Sequence, residues 1–149
     1  GHSQGGVVAS MTAGRIATSA SAKQPFGLVL IAPASVLKPA CQKGHLLGAK
    51  FDPVDPPAFV RCFGMMKVGR EYLLSTQQLD IYGTAASYHG PVRIIHGSED
   101  TLVPMWCSED FLKIYGDAAQ LMVIDNENHR ISRRTRYVAK LVTDFFSNL

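Results

Sequence analysis

Two kinds of apolar pattern alternate along this chain. Short, continuous apolar runs occupy residues 27–32, 91–96 and 120–125. Longer segments with apolar residues at helical spacing occupy residues 4–20, 106–115 and 131–146. Continuous runs are typical of parallel strands covered on both faces, whereas the longer segments predict amphipathic helices. In the first helix we expect Val7, Val8 and Met11 to face the sheet. The pattern predicts an α/β fold with a largely parallel sheet and helices on both faces.

The stretch from Ser35 to Ala86 breaks this rhythm. Its prolines and glycines disfavour long regular elements, so we predict an irregular cap, about 35–86, inserted into a single domain. The larger apolar side chains of the cap would either line a pocket or pack the cap onto the body, and the sequence leaves both readings open. These side chains are Phe51, Phe59, Phe63, Met65 and Met66.

The first residues, Gly1-His2-Ser3-Gln4-Gly5, form a G-x-S-x-G pattern directly before a predicted helix. In a nucleophile elbow this pattern lifts the serine hydroxyl clear of the sheet, and glycines flank it because a Cβ there would collide with the neighbouring strand and helix. The backbone N–H of Gln4 would face the oxygen of a reacting acyl group. No strand precedes the pattern, so we expect the N-terminal part of the domain to be missing.

A carboxylate and a histidine follow in the order that a Ser-Asp-His arrangement requires in this kind of fold. Asp100 comes after the run at 91–96, and His129 comes after the run at 120–125. We expect His129 to take the Ser3 proton and Asp100 to hold the histidine tautomer. Glu99 and Asp125 are the competing carboxylates.

The other histidines have structural interpretations. His2 and His96 are expected to be packing residues with hydrogen-bonded rings. No H-x-H, H-E-x-x-H or C-x-x-C spacing occurs, so neither a metal nor a cofactor is expected.

Three segments together resemble one branch of a known family: 1–11 (GHSQGGVVASM), 30–34 (LIAPA) and 96–101 (HGSEDT). They resemble the cinnamoyl (feruloyl) esterase branch of the α/β hydrolases. The resemblance implies the α/β-hydrolase fold, of which this chain would be the C-terminal portion with a small cap insertion.

The resemblance also implies a function, that of a serine carboxylesterase acting on small-molecule esters of hydroxycinnamic acids. Ser3 would be the nucleophile, Asp100 the acid, His129 the base and Gln4 one oxyanion donor, with a second donor from an upstream loop. Tyr72 would lie near the acyl group, and the family implies a homodimer. Where we align polar residues of the family, this chain has Ala40 and Leu47. Because an unpaired buried hydroxyl is costly, this departure favours a less polar ester.

Composition limits the remaining partners. The 149 residues are 46% hydrophobic with a net charge of +3, and no apolar run is long enough to span a membrane. Four arginines cluster near the last helix, and we interpret them as a solvated face rather than a nucleic-acid site. They are Arg130, Arg133, Arg134 and Arg136.

Three widely spaced cysteines argue against a disulfide framework, and the compartment stays open, with a preference for the cytoplasm. Two kinds of alternative also stay open. One is a thioesterase or serine peptidase of the same fold, and the other is a catalytically incomplete fragment.

Overall fold

The computed structural model describes residues 1–20 and 23–149. In chain order the elements are α1 (Gln4–Ala17), β1 (Leu28–Ile31), α2 (Leu37–Gln42), β2 (His45–Leu46), β3 (Ala49–Lys50), β4 (Phe59–Cys62), β5 (Met66–Gly69), α3 (Arg70–Gln78), α4 (Ile81–Ala85), β6 (Val92–Gly97), α5 (Trp106–Tyr115), β7 (Ala119–Ile124) and α6 (Thr135–Ser147). They form two compact units. The first unit is Gly1–Ala34 with Ile81–Leu149, and the second unit is Ser35–Asp80.

The first unit is built on a parallel three-stranded sheet in the order β1-β6-β7. Each strand coincides with one of the continuous apolar runs. The chain before α1 extends this sheet, because His2 forms a parallel bridge with Ile31 and the Ser3 N–H donates to the Ile31 carbonyl at 2.8 Å. The predicted α/β fold with a parallel sheet is confirmed.

Helix α6 covers one face of this sheet through an apolar stripe. Its Val138 is buried in a cluster with four residues from the strands and the preceding loop, Val29, Ile95, Ile124 and Ile131. Leu141, Val142 and Phe145 pack against the same cluster. These are the positions that helical spacing predicts, although the helix begins at Thr135 rather than at Ile131.

Helix α1 differs from its predicted orientation at two positions. Val7 and Met11 are buried, but Val8 is 57% exposed, so the prediction that it faces the sheet is wrong. Val8 lies three residues from Met11, so helical spacing alone places it near the buried face, and the packing around α1 leaves it uncovered. Gly5 is also not a contact glycine, because a Cβ there would meet nothing within 4 Å.

The second unit consists of short elements, as its prolines predict, but they are regular. Two antiparallel hairpins, β2-β3 and β4-β5, accompany α2 and α3. A small core unites them, made of Cys41, Leu46, Val60, Cys62 and Leu73. Among the apolar side chains predicted to line a pocket or to pack, Phe51 contacts this core, whereas the other four are exposed.

Within the described residues, no helix is both long and apolar enough to cross a membrane.

Candidate active site

Ser3 lies at the turn between the short sheet extension and α1. Its backbone has φ 56° and ψ −124°, a conformation that non-glycine residues rarely adopt. Hydrogen bonds hold it on both sides, since the Ser3 N–H binds Ile31 and the Ser3 carbonyl accepts from Gly6 (3.0 Å) and Ala34 (3.1 Å). Unusual backbone conformations that surrounding contacts maintain are typical of functional sites.

Gly1 and Gly6 allow this tight turn. A Cβ on Gly1 would lie 2.1 Å from the Gly5 carbonyl oxygen, and one on Gly6 would lie 3.1 Å from Pro33. The steric requirement that the motif predicts for Gly5 therefore falls on Gly6.

Asp100 follows β6, and two backbone N–H groups donate hydrogen bonds to its carboxylate. Its Oδ1 accepts from the backbone N–H groups of Leu102 (2.9 Å) and Val103 (2.8 Å). Its side chain is only 1% exposed. Oδ2 is left to face His129, so the backbone turn fixes the orientation of the carboxylate.

His129 joins Ser3 and Asp100 in one hydrogen-bonded series. Its Nδ1 lies 2.7 Å from Asp100 Oδ2, and its Nε2 lies 3.0 Å from Ser3 Oγ. A carboxylate can only accept, so Nδ1 carries the proton and neutral Nε2 can accept the serine proton. The arrangement can activate a hydroxyl group as a nucleophile. The structure thus brings together the three residues that the sequence selects.

The competing carboxylates lie outside this series. Glu99 is about half exposed and forms an ion pair with Arg133. Asp125 is exposed in the turn after β7. The ring of His2 is hydrogen-bonded, as expected, through Nε2 to the His129 carbonyl oxygen (2.7 Å), and its centroid lies 4.8 Å from the His129 ring. It is nevertheless exposed rather than packed.

The loop that carries His129 is organised by Glu127, which has no exposed surface. Its carboxylate accepts from the backbone N–H groups of Asn128 (2.8 Å), Arg133 (3.1 Å) and Arg134 (2.6 Å). Burial on its own raises the pKa of Glu127, but these hydrogen bonds outweigh burial and hold the pKa below its ordinary value. Ile131 has a positive φ of 55°, and Arg134 has φ −126° and ψ 33°, so regular helical backbone begins only at Thr135.

Gln4 is the first residue of α1. The first N–H groups of a helix have no acceptor within the helix and lie at its positive end, which suits them to bind an anionic oxygen. Tyr72 lies on α3 in the second unit, where it packs against the core and its hydroxyl interacts with Thr76. Burial raises the pKa of Tyr72. Its role near an acyl group stays a prediction.

A cavity of about 460 Å³ lies beside His2 and Arg130 in the first unit. Its other walls come from Ile31 and from one side of α6, including Val138 and Val142. Arg130 is exposed at its edge. In residues 1–20 and 23–149, no group of three or more His, Cys, Asp or Glu side chains could hold a metal ion.

Sequence reasoning missed one residue, Glu127, and one contact, that of His96 with Asp100. Glu127 was only part of a polar loop, and a single buried carboxylate in such a loop leaves no periodic signal. His96 was expected to be a satisfied core histidine, and it is fully buried with both ring nitrogens hydrogen-bonded. Its proximity to Asp100, with Nε2 3.3 Å from Oδ2, was not predicted.

The sheet order, the turn at Ser3 and the comparison with solved structures define the class: the chain has the α/β-hydrolase fold. It is similar to Est1E from Butyrivibrio proteoclasticus, with a TM-score of 0.88 and 28% sequence identity over 99% of this chain. A second structure of Est1E, with ferulic acid bound, matches equally well. The resemblance that the motifs indicate is confirmed. No protein-family model and no curated protein sequence matches the chain.

More distant structures share the fold. The esterase domain of a Rhodothermus marinus protein has a TM-score of 0.69 at 18% identity, and a monoacylglycerol lipase of Paleococcus ferrophilus has 0.66 at 15% identity. They match 97% of this chain and 58% and 65% of their own chains. The chain also spans 58% of the length of Est1E.

Proposed function

We propose that this chain carries the catalytic residues of a serine esterase, a hydrolase of carboxylic esters. The observation that carries the proposal is the hydrogen-bonded series from Ser3 Oγ through His129 to Asp100 Oδ2 (3.0 and 2.7 Å). The unusual backbone conformation of Ser3 at the start of a helix and the similarity to Est1E support the same assignment.

In the proposed reaction, Ser3 Oγ attacks the ester carbonyl carbon while His129 Nε2 takes the hydroxyl proton. The oxygen of the tetrahedral intermediate is stabilised by N–H groups at the start of α1, that of Gln4 first among them. Collapse of the intermediate expels the alcohol, which receives the proton from His129, and leaves Ser3 acylated. Water then attacks the acyl carbon, gives its proton to His129, and the acid leaves as that proton returns to Ser3.

We propose cinnamoyl- or feruloyl-type esters, or related small acyl esters, as substrates. The support is the ferulic acid bound to Est1E and the position of Tyr72 in the motif that the resemblance assigns to acyl contact. At two positions where the resemblance expects polar residues, this chain has Ala40 and Leu47, whose side chains cannot form hydrogen bonds with a ring hydroxyl. A ring without a free hydroxyl should therefore be preferred, because it leaves no polar group unpaired.

The test is hydrolysis of p-nitrophenyl acetate, methyl cinnamate and methyl ferulate by the purified chain and by Ser3→Ala. We expect ester hydrolysis that falls at least about 1000-fold in Ser3→Ala, and covalent labelling of Ser3 by a fluorophosphonate. We expect kcat/KM for methyl cinnamate to exceed that for methyl ferulate by about tenfold.

Outcomes against the proposal are equally specific. A folded wild-type chain that neither hydrolyses these esters nor reacts with the fluorophosphonate would refute it. Faster turnover of a matched thioester or p-nitroanilide would retain the serine mechanism and replace the substrate class.

A further inference from the structure

His96 is a fully buried histidine to which the proposed mechanism assigns no role. It lies near the end of β6, four residues before Asp100. Its Nε2 lies 3.0 Å from the Val103 carbonyl oxygen and 3.3 Å from Asp100 Oδ2, and its Nδ1 lies 2.7 Å from Ser108 Oγ on α5. The ring therefore connects α5 with the turn that presents Asp100.

These contacts determine the tautomer of the ring. Both neighbours of Nε2 can only accept hydrogen bonds, so Nε2 carries a proton and Nδ1 of the neutral ring accepts from the Ser108 hydroxyl. Asp100, His129 and Glu109 are the titratable groups that interact with His96, and the two carboxylates raise its pKa while His129 lowers it. Burial is the largest effect and keeps the pKa below its ordinary value, which favours the neutral ring.

We propose that His96 is a positioning residue for Asp100, an inference that rests on the proposed function of Ser3, His129 and Asp100. His96 Nε2–H donates a hydrogen bond to the Val103 carbonyl oxygen. The Val103 N–H in turn donates to Asp100 Oδ1 at 2.8 Å. His96 Nε2 also lies 3.3 Å from Oδ2, the oxygen that binds His129, which places the polar N–H group beside the carboxylate. His96 thus orients the carboxylate and offsets part of its charge.

Two variants separate this role from simple packing. In His96→Gln the amide nitrogen can replace the Nε2 donor, whereas in His96→Asn the shorter side chain can reach Ser108 but not Val103. We expect kcat/KM to fall about tenfold in His96→Asn, the cost of one hydrogen bond, and His96→Gln to recover part of that loss. The acidic limb of the pH–rate profile should move to higher pH in His96→Asn, because a carboxylate with fewer donors holds protonated His129 more tightly.

Nitrogen-15 NMR of the imidazole rings tests the inference without an activity assay. In the wild-type chain we expect His96 as the neutral Nε2–H tautomer, and we expect the low-field Nδ1–H resonance of His129 to shift in His96→Asn and to return in His96→Gln. A His96 ring with its proton on Nδ1, or a His129 resonance that is the same in all three folded proteins, would overturn it. If the wild-type chain hydrolyses no ester, the proposed function fails while these spectra still decide the role of His96.

Discussion

Ser3 has a positive φ of 56°, a backbone conformation that a non-glycine residue adopts at a cost of about 1–3 kcal/mol. The hydrogen bonds of the Ser3 N–H and carbonyl groups offset this cost, because they hold the residue between the sheet and the helix. Ile131 is a second such residue, with φ 55° in the loop after His129, where its side chain is buried in the core below α6. Packing and hydrogen bonds thus maintain both strained residues near His129.

Glu127 carries a negative charge in a fully buried position. Three backbone N–H groups bind its carboxylate, so removal of that charge would leave buried donors poorly satisfied. These hydrogen bonds therefore contribute most to the stability of the fold at a pH at which the carboxylate is ionised.

We predict that Glu127→Gln lowers the free energy of unfolding by about 1–3 kcal/mol at neutral pH. Because the folded-state pKa of Glu127 is lowered from 4.5, the wild-type advantage is complete above that value and is lost as pH falls through the folded-state pKa. Urea denaturation of both proteins from about pH 7 to about pH 3 measures it. A difference between the two proteins that does not change with pH would contradict this account.

Helix α1 approaches α4 at Gly14. A Cβ on Gly14 would lie 1.9 Å from the Thr84 carbonyl oxygen, so the two helices could not keep their separation. Gly5, in the same helix, has open space around its Cα. The two glycines therefore offer a matched pair in one element.

We predict that Gly14→Ala lowers the free energy of unfolding by about 1–3 kcal/mol, since the contact is with backbone that cannot rotate away. Gly5→Ala should leave stability unchanged or raise it by up to about 1 kcal/mol, because alanine has the higher helix propensity. Thermal and urea denaturation give both values. Equal destabilisation by the two substitutions would show that the close α1-α4 contact does not require glycine at position 14.

Each of the two compact units has its own apolar core, and each unit contains at least one buried cysteine. Cys41 and Cys62 lie in the core of the second unit, and Cys107 is buried on α5 in the first. Burial, with a smaller contribution from Cys62, raises the pKa of Cys41 to about 11, so its thiol is protonated at neutral pH. Protonation and burial both oppose reaction with thiol reagents.

We predict that pulse alkylation of the native chain at neutral pH labels none of the three cysteines, and that labelling appears with unfolding. Mass spectrometry of the peptides assigns each label to its unit, so a denaturant series measures the opening of each core separately. Labelling of any of the three in the native protein at the rate of a small-molecule thiol would mean that its core is open.

The sequence alone specified the strands of the first unit, because continuous apolar runs are typical of strands in a parallel sheet, although in β7 only Ala119 and Ile124 are buried. It also specified Ser3, Asp100 and His129 as candidates, since Ser3 lies in a G-x-S-x-G pattern before a predicted helix and the other two follow predicted strand ends in the required order. Val8 was misassigned because helical spacing defines an apolar face only approximately, and neighbours from other segments decide which side chains are covered. Gly5 was misassigned because the close contact that the motif predicts falls on Gly6.

Only the tertiary structure decided how these candidates meet. Ser3 and His129 are 126 residues apart, and Asp100 and His129 are 29 apart, yet all three lie in one hydrogen-bonded series. The burial of Glu127 and of His96 also depends on elements that pack together from distant parts of the chain. Local sequence sets propensity and pattern, but distances and burial arise only when the sheet places its strand ends side by side.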